Sequence, residues 1–591
     1  MKRRQGHGLA GYRAVKEKLQ GVDPITNGED HTNGGASTKS SGDPAQSKTP
    51  RTSRNIMHEN REAWPTSAAQ SGGRLVGKGE SRTTHRHVGQ ESDSGVVPMK
   101  DSNKEGKPTA ENLEGRPGTK ENVFQPHMQP TQSGARMSQG LEGVRRVARE
   151  SKQEKFTALL HHLTINLLRE CFYSSKRSAA AGVDGMTWKK YEQGVEDRLK
   201  DLHGRVHRGA YRAQPSRRVY IPKADGRQRP LGVAALEDKI VQTAVARILN
   251  QIYEEDFLEF SYGFRQLRNQ HQALDALTVG IERKKVNWIL DIDIRGFFDN
   301  LQHQQLIQYV EMRIADPRIL RLIQKWLKAG VMDNGEWKET EVGTPQGSGI
   351  SPLLANVYLH YALDLWVAAW QKRAKGDVII VRYADDAVLG FENRHEAERC
   401  RRELQEHLLS VGLELHPEKT RMIEFGQFAE VNRKRRGEGK PETFDFLGFT
   451  HISGKTRKTG RFIVKRKTIG KRMRAKLQEI RQKLRRRMHE TVADTGDWLR
   501  SVVQGYFNYH AIPGNGNRLN CFRDAVTRSW RHMLRRRSQG NRFDWKRMHR
   551  LVGRWLPSVR ILHPYPNVRF DARSKVGAVC GKSARTDLCG G

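Results

Sequence analysis

Apolar residues are distributed along this chain in three ways. Over residues 1–140 they show no periodicity. The only aromatics there are Tyr12, Trp64 and Phe124, set among Gly, Ser, Thr, Asn, Gln and charged residues. Such a stretch buries too little surface to offset its ordering entropy, so a disordered N-terminal extension is expected. From Leu141 the pattern changes. Phe156, Leu159, Leu160, Leu163, Leu167 and Leu168 fall at helical spacing. Strand-like and helical segments then alternate to about residue 455. Arg218–Ile221, Trp288–Ile294 and Val378–Phe391 read as strands, and Lys239–Tyr253 and Pro352–Trp370 as helices. Beyond Arg461 one helical face dominates: Ile469, Met473, Leu477, Ile480, Leu484 and Met488 step by 4, 4, 3, 4 and 4 residues. Arg472, Arg474, Arg481, Arg485 and Arg486 lie mostly off that face.

No apolar run predicts a membrane span. The longest, Leu353 to Trp370, is interrupted by Asn356, His360 and Asp364 and reads as a buried helix. The basic start Met1-Lys-Arg-Arg leads into Gln5-Gly-His-Gly rather than a signal-peptide core. The cysteines, Cys171, Cys400, Cys521, Cys580 and Cys589, form no CxxC pair. A reducing, cytoplasmic setting is expected, with neither a disulfide framework nor zinc.

Charge adds a partner. Lys and Arg number 105 against 66 Asp and Glu, a formal net charge of +39. A surplus that large points to a polyanion, nucleic acid foremost. Residues 461–540 concentrate it, with 21 Lys/Arg against 5 Asp/Glu. One sign at that density suits a nucleic-acid backbone; the plainer alternative is a solvated helix surface.

The chemistry centres on Tyr383-Ala384-Asp385-Asp386, set between the apolar runs Val378–Arg382 and Ala387–Phe391. Two unit charges roughly 4 Å apart repel by about 4 kcal/mol at an effective dielectric of about 20. A divalent metal makes such a pair tolerable. Asp291 and Asp293 lie two apart on a predicted strand and share a face. One of them can meet the hairpin pair across neighbouring strands. Three carboxylates so placed can hold two Mg²⁺ ions for in-line displacement at phosphorus.

The order of these motifs resembles that of bacterial group II intron-encoded reverse transcriptases and maturases, over about residues 145–591. Ala181-Gly-Val-Asp184-Gly, Arg218-Val-Tyr-Ile-Pro222-Lys223, Arg229-Pro-Leu-Gly232 and Phe260-Ser-Tyr262-Gly-Phe264-Arg265 are similar to the family's fingers segments. Asp293 to Asp299, Thr344-Pro-Gln346-Gly347 through Asn356, and Tyr383–Asp386 resemble its palm motifs. Leu415-His-Pro-Glu-Lys419-Thr420, Phe444 to Phe449, and Gly505-Tyr506-Phe507-Asn508-Tyr509 with Pro513-Gly514-Asn515 follow in the family's order.

The resemblance implies an α+β right-hand polymerase fold. Fingers and palm, with antiparallel sheet, would occupy 141–455 and an α-helical thumb or maturase domain 456–540. A basic, DNA-binding-like region would occupy 541–591. It implies metal ligands Asp293, Asp385 and Asp386, with Ile294 beside them; Asp291 is disfavoured because the family's carboxylate lies six residues before Asp299. Lys223 and Arg229 would hold the triphosphate of a dNTP, Gln346 would position it, and Phe298 would exclude a 2′-hydroxyl, with Phe297 the alternative. Lys419 would protonate pyrophosphate. Lys223 and Arg229 could instead form a solvated turn, Phe298 ordinary core, and Lys419 a neutralising cation at the palm edge.

The implied partners are structured intron RNA, an RNA template, and DNA primer or target. Arg472, Arg474, Arg481, Arg485, Arg486, Tyr506 and Tyr509 are the RNA-contact candidates. The aromatics read equally well as core of a helical bundle. Longer members end in an HNH-type endonuclease; nothing like one follows Pro566, so second-strand cleavage is not expected. The implied activity is RNA-directed DNA synthesis with a splicing role, supporting intron mobility by target-primed reverse transcription. A nucleoid-associated bacterial location goes with it, and the oligomeric state is left open between monomer and homodimer. The competing readings are a maturase with a vestigial polymerase and a reverse transcriptase recruited to host defence or repair.

Overall fold

A computed structural model describes residues 132–222, 228–344, 347–537 and 543–579. The expected disorder before residue 132, and the candidates Lys223 and Gln346, lie outside the described residues. Order begins before Leu141, because a helix spans Gln132–Glu150. Its Val144 and Ala148, one turn apart, are buried.

Eleven strands are described. They are β1 (Ser216–Pro222), β2 (Gln228–Val233), β3 (Trp288–Asp293), β4 (Val331–Asp333), β5 (Glu336–Lys338), β6 (Val378–Tyr383), β7 (Asp386–Phe391), β8 (Arg421–Glu424), β9 (Thr443–Phe446), β10 (Phe449–Lys455) and β11 (Phe462–Thr468). They form three sheets, ordered β2-β1-β4-β5, β6-β7-β3-β8 and β11-β10-β9. Every pairing is antiparallel except β1 with β4.

The β6-β7-β3-β8 sheet is buried on both faces, so its strands read as continuous apolar runs rather than alternating ones. Ile289, Ile379, Val381, Val388 and Ile423 pack with Leu274, Leu277 and Ile281 of the helix Gln270–Arg283. Leu290, Ile292, Ile380 and Leu389 join the main core on the other side, with the helices Leu236–Asp256 and Arg394–Ser410. The first of these three helices is launched by a capping box, in which Asn269 and Gln272 bond each other's backbone N–H.

The predicted helix Pro352–Trp370 is present with an irregularity. It runs as α-helix over Ser351–Leu359, as π-helix over His360–Asp364, and as α-helix over Leu365–Gln371. Such π turns concentrate at functional sites, and this one places Asp364 behind the Tyr383–Asp386 turn.

The predicted amphipathic helix is Gly470–Arg486, with Leu477, Ile480 and Leu484 buried. It shares one core with the helices Val492–His510, Gly516–Arg535 and Trp545–Trp555, through Val503, Phe507, Phe522, Trp530, Met548 and Trp555. That core continues across the expected boundary at residue 540. The helix Pro566–Val579 instead docks on Gln270–Arg283. Arg283 pairs with Asp571 at 2.9 Å, and Asp275 with both Arg569 at 3.0 Å and Arg466 at 2.8 Å. Among the described residues no helix is long and apolar enough to cross a membrane.

Candidate active site

Strands β3 and β7 pair in a register that sets Asp293 opposite Asp386, and Asp291 opposite Val388. Asp385 occupies the turn between β6 and β7. Ala384, before it, has a φ of 57°, a left-handed conformation uncommon outside glycine. The turn is backed by the Phe260–Arg265 segment. A Cβ on Gly263 would lie 2.2 Å from the Ala384 nitrogen, so only glycine allows that approach.

Arg382 fastens this corner. Its guanidinium donates to Asp364 at 2.6 and 2.5 Å, to Asn356 Oδ1 at 3.1 Å, to Ser261 Oγ at 2.7 Å and to the Ala384 carbonyl at 2.9 Å. Sequence reasoning missed Arg382, Asp364 and Gly263 as supports. The available signals were a lone arginine ending an apolar strand and a lone aspartate inside an apolar helix.

The carboxylates crowd one another. Desolvation, then the charges of Asp385, Asp293 and Asp291, push the Asp386 carboxyl up to about 7 against the pull of Arg472. Its side chain still reaches solvent, which limits desolvation and leaves the neighbouring carboxylates as the main cause. Asp385 is raised by desolvation and by Asp293, while Arg229 and Arg382 lower it. Asp291 is pushed up to about 6, chiefly by burial, and is partly offset by Arg421, 3.8 Å away.

Lys419 donates to both oxygens of Asp293, at 3.1 and 3.2 Å. The His416 N–H bonds the Asp293 carbonyl at 2.8 Å, and the Thr420 hydroxyl donates to the same oxygen at 3.3 Å. This latch holds the Lys419 segment against the end of β3. Ile294 follows with its side chain buried, bridged to Leu415.

Oxygen donors that repel one another suit Mg²⁺, which takes one or two carboxylates and completes its shell with water and substrate phosphates. Among the described residues no three potential ligands already converge into a cage.

The two phenylalanines separate clearly. Phe297 is buried in the main core. Phe298 is half-buried and lines a cavity of about 160 Å³ with Arg218, Pro230, Gly232 and Thr344. Arg229, paired opposite Ile221, comes close enough to the carboxylates to lower Asp385.

The RNA-contact candidates divide. Arg474, Arg481, Arg485 and Arg486 are exposed on the helix Gly470–Arg486, with Arg481 donating to Ser529 Oγ at 3.4 Å. Arg472, exposed as well, lies beside the β9–β10 turn. Its guanidinium lies 3.6 Å from where a Cβ on Gly448 would sit, and its charge reaches Asp386. Of the two alternatives for the aromatics, their packing favours the bundle core. Tyr506 is buried and stacks on Phe522 at 3.6 Å, and Tyr509 donates its hydroxyl to the Leu447 carbonyl at 2.8 Å. These rings belong to the bundle and its contact with β9-β10, which leaves the Tyr506 ring no face for a base.

Residues 221–451 match the family model described as reverse transcriptase (RNA-dependent DNA polymerase). The chain is 38% identical over 232 residues to the group II intron-encoded protein LtrA of Lactococcus lactis subsp. cremoris, which is 38% of each protein. It is 35% identical over 285 residues to protein YkfC of Escherichia coli K12, covering 42% of this chain and 74% of that one. A 91 kDa protein in the cob intron of Schizosaccharomyces pombe is 42% identical over 146 residues, 25% of this chain and 18% of that one. The matched stretch thus spans well under half of LtrA and most of YkfC.

Proposed function

Because this chain belongs to the reverse transcriptase family, we propose that it is an RNA-directed DNA polymerase that also binds structured intron RNA as a splicing cofactor. The observation that carries the first role is the register pair Asp293 and Asp386, with Asp385 at the adjoining turn. The kinship to a group II intron-encoded protein and the basic helical region support the second.

In this reading residues 141–455 are fingers and palm, and the helices from Gly470 onward are thumb and maturase region. Asp293, Asp385 and Asp386 would hold two Mg²⁺ ions, with Ile294 able to contribute only its carbonyl. Bound there, the metal supplies activation of the primer hydroxyl and stabilisation of the leaving oxygen. Arg229, with Lys223, would grip the triphosphate through charge-assisted hydrogen bonds, and Gln346 would orient the nucleotide. Phe298 is the better 2′-hydroxyl gate, since Phe297 is committed to the core. Lys419, which bonds Asp293, would give a proton to departing pyrophosphate. Arg382 and Asp364 hold the turn in place without touching substrate.

The test is to incubate the purified chain with its flanking transcript, primer, dNTPs and Mg²⁺, and to score spliced RNA and complementary DNA separately. Both products are expected. Splicing without DNA would leave only the RNA-binding role, and DNA without any effect on splicing would remove it.

A further inference from the structure

The helical region carries a cavity that none of the roles above uses. It lies between the helices Gly516–Arg535 and Trp545–Trp555 and measures about 160 Å³. Asp524, Thr527 and Arg528 line it from the first helix, and Trp545, His549 and Val552 from the second. Asp524 and Arg528 lie one turn apart, as do Trp545 and His549, so each helix presents one face to the opening.

Three features of this cavity point to a ligand. The first is Trp545, which leaves 44% of its surface exposed beside a core that buries Trp530 and Trp555. Its ring is nevertheless fixed. The Arg531 guanidinium lies 4.5 Å from its centroid while donating to the Phe543 carbonyl at 3.2 Å. The His549 ring meets it edge-on at 5.9 Å. An exposed indole held from two sides is preorganised for a flat partner, so little ordering cost remains on binding.

The second feature is the charge at the rim. Arg528 and Asp524 are exposed, and among the described residues neither side chain makes a hydrogen bond or an ion pair, although one turn separates them. An unengaged guanidinium and an unengaged carboxylate flank the aromatic wall. The third is size. Sites for drug-sized ligands begin at about 300 Å³, so this one takes a single ring system with its polar attachments outside.

A flat ring for the indole, an amino donor for Asp524 and an anion for Arg528 together describe a nucleotide. The surroundings say that it belongs to a polymer. Residues 516–555 hold 12 Lys/Arg against 2 Asp/Glu, a field suited to many phosphates rather than one. We propose that this cavity takes one unpaired nucleotide of a bound polynucleotide, with its base on the Trp545 indole and its phosphate on Arg528. The inference rests on the reading that this helical region binds structured nucleic acid, and it names the subsite.

The test uses the full chain and two hairpin RNAs that differ by one bulged adenosine, with matching DNA hairpins. Affinity is read by fluorescence anisotropy at fixed salt. The wild-type chain is expected to prefer the bulged hairpin. Trp545→Ala should abolish that preference by lowering bulged-hairpin affinity roughly 5- to 150-fold, the range for loss of one base–aromatic stack. Trp545→Phe should keep most of it, and an unchanged melting temperature would show that Trp545→Ala folds. Arg528→Ala should weaken binding and flatten its salt dependence. A preference confined to RNA, or shared with DNA, assigns the source of the nucleotide. Equal affinity of the wild type for bulged and unbulged hairpins overturns the inference alone, as does a loss in Trp545→Ala that is the same for both. No binding to any hairpin overturns the nucleic-acid reading and takes this inference with it.

Discussion

Arg382 and Asp364 form an ion pair in which both side chains are 1% exposed, directly behind the turn that carries Asp385. Breaking a buried pair by removing one partner typically costs about 3–5 kcal/mol, because the other charge stays buried and unpaired. Asp364→Ala should therefore lower the urea midpoint strongly. It should also reduce primer extension, since the Ala384 carbonyl depends on the same guanidinium. Replacing both residues with apolar ones of similar volume should recover only part of the stability, because Asn356, Ser261 and the Ala384 carbonyl lose their donor, and should not recover extension. Recovery of both together would show that the pair only fills space.

Asp385→Ala should abolish Mg²⁺-dependent extension of a DNA primer on RNA while leaving affinity for structured RNA within about twofold. The carboxylate sits on the β6–β7 turn at the end of the β7–β3 pair, whereas the exposed arginines of Gly470–Arg486 lie on a separate helix. Filter binding and extension assays on one preparation compare the two. Joint loss of both activities would contradict the separation of roles.

The neighbouring phenylalanines should diverge on truncation. Phe297→Ala empties core space and should cost about 3–5 kcal/mol in unfolding free energy. Phe298→Ala should cost much less. Its effect should appear as a rise of tenfold or more in ribonucleotide incorporation relative to deoxyribonucleotide, read from single-nucleotide extension. A rise for Phe297→Ala in place of Phe298→Ala would exchange their roles.

Much of the site was legible because its strands are buried on both faces and therefore stand out as unbroken apolar runs. Their carboxylates then had to lie at the ends. The choice of Asp293 over Asp291 rested on motif spacing. The structure adds the cross-strand partners: Asp293 faces Asp386, and Asp291 faces Val388. The supports were harder to read. Arg382 draws ligands from positions 261, 356, 364 and 384, and no local pattern links residues that far apart. Tyr506 was ambiguous for a different reason. An aromatic on a basic amphipathic helix looks the same whether it meets a base or Phe522, and only the packing of the next helix decides. The docking of Pro566–Val579 on Gln270–Arg283 depends on ion pairs such as Arg283–Asp571, 288 positions apart, which sequence spacing does not reveal.

Acid should weaken this fold through its buried histidines, against an opposing contribution from Asp386 and Asp291, whose raised carboxyls take up protons first in the folded chain. His360 and His451 are almost fully buried, and burial first, then Arg382 and Arg466 respectively, pushes each imidazole down to about 3. An unfolded histidine titrates near 6.5, so between about pH 6.5 and 3 the unfolded chain binds protons that the folded chain does not. Stability held above pH 6.5 is therefore lost as pH falls. Each such group contributes a slope of about 1.4 kcal/mol per pH unit, so these two together give about 2.7. His451→Phe isolates one share. The residue is stacked on Phe444 at 4.7 Å with its ring nearly parallel, and a phenyl ring can keep that contact without titrating. The variant should match or slightly exceed the wild type below pH 6, and urea unfolding between pH 7.5 and 5 should show a shallower decline. An identical slope would mean that His451 is protonated in the folded state and that Arg466 beside it tolerates the charge.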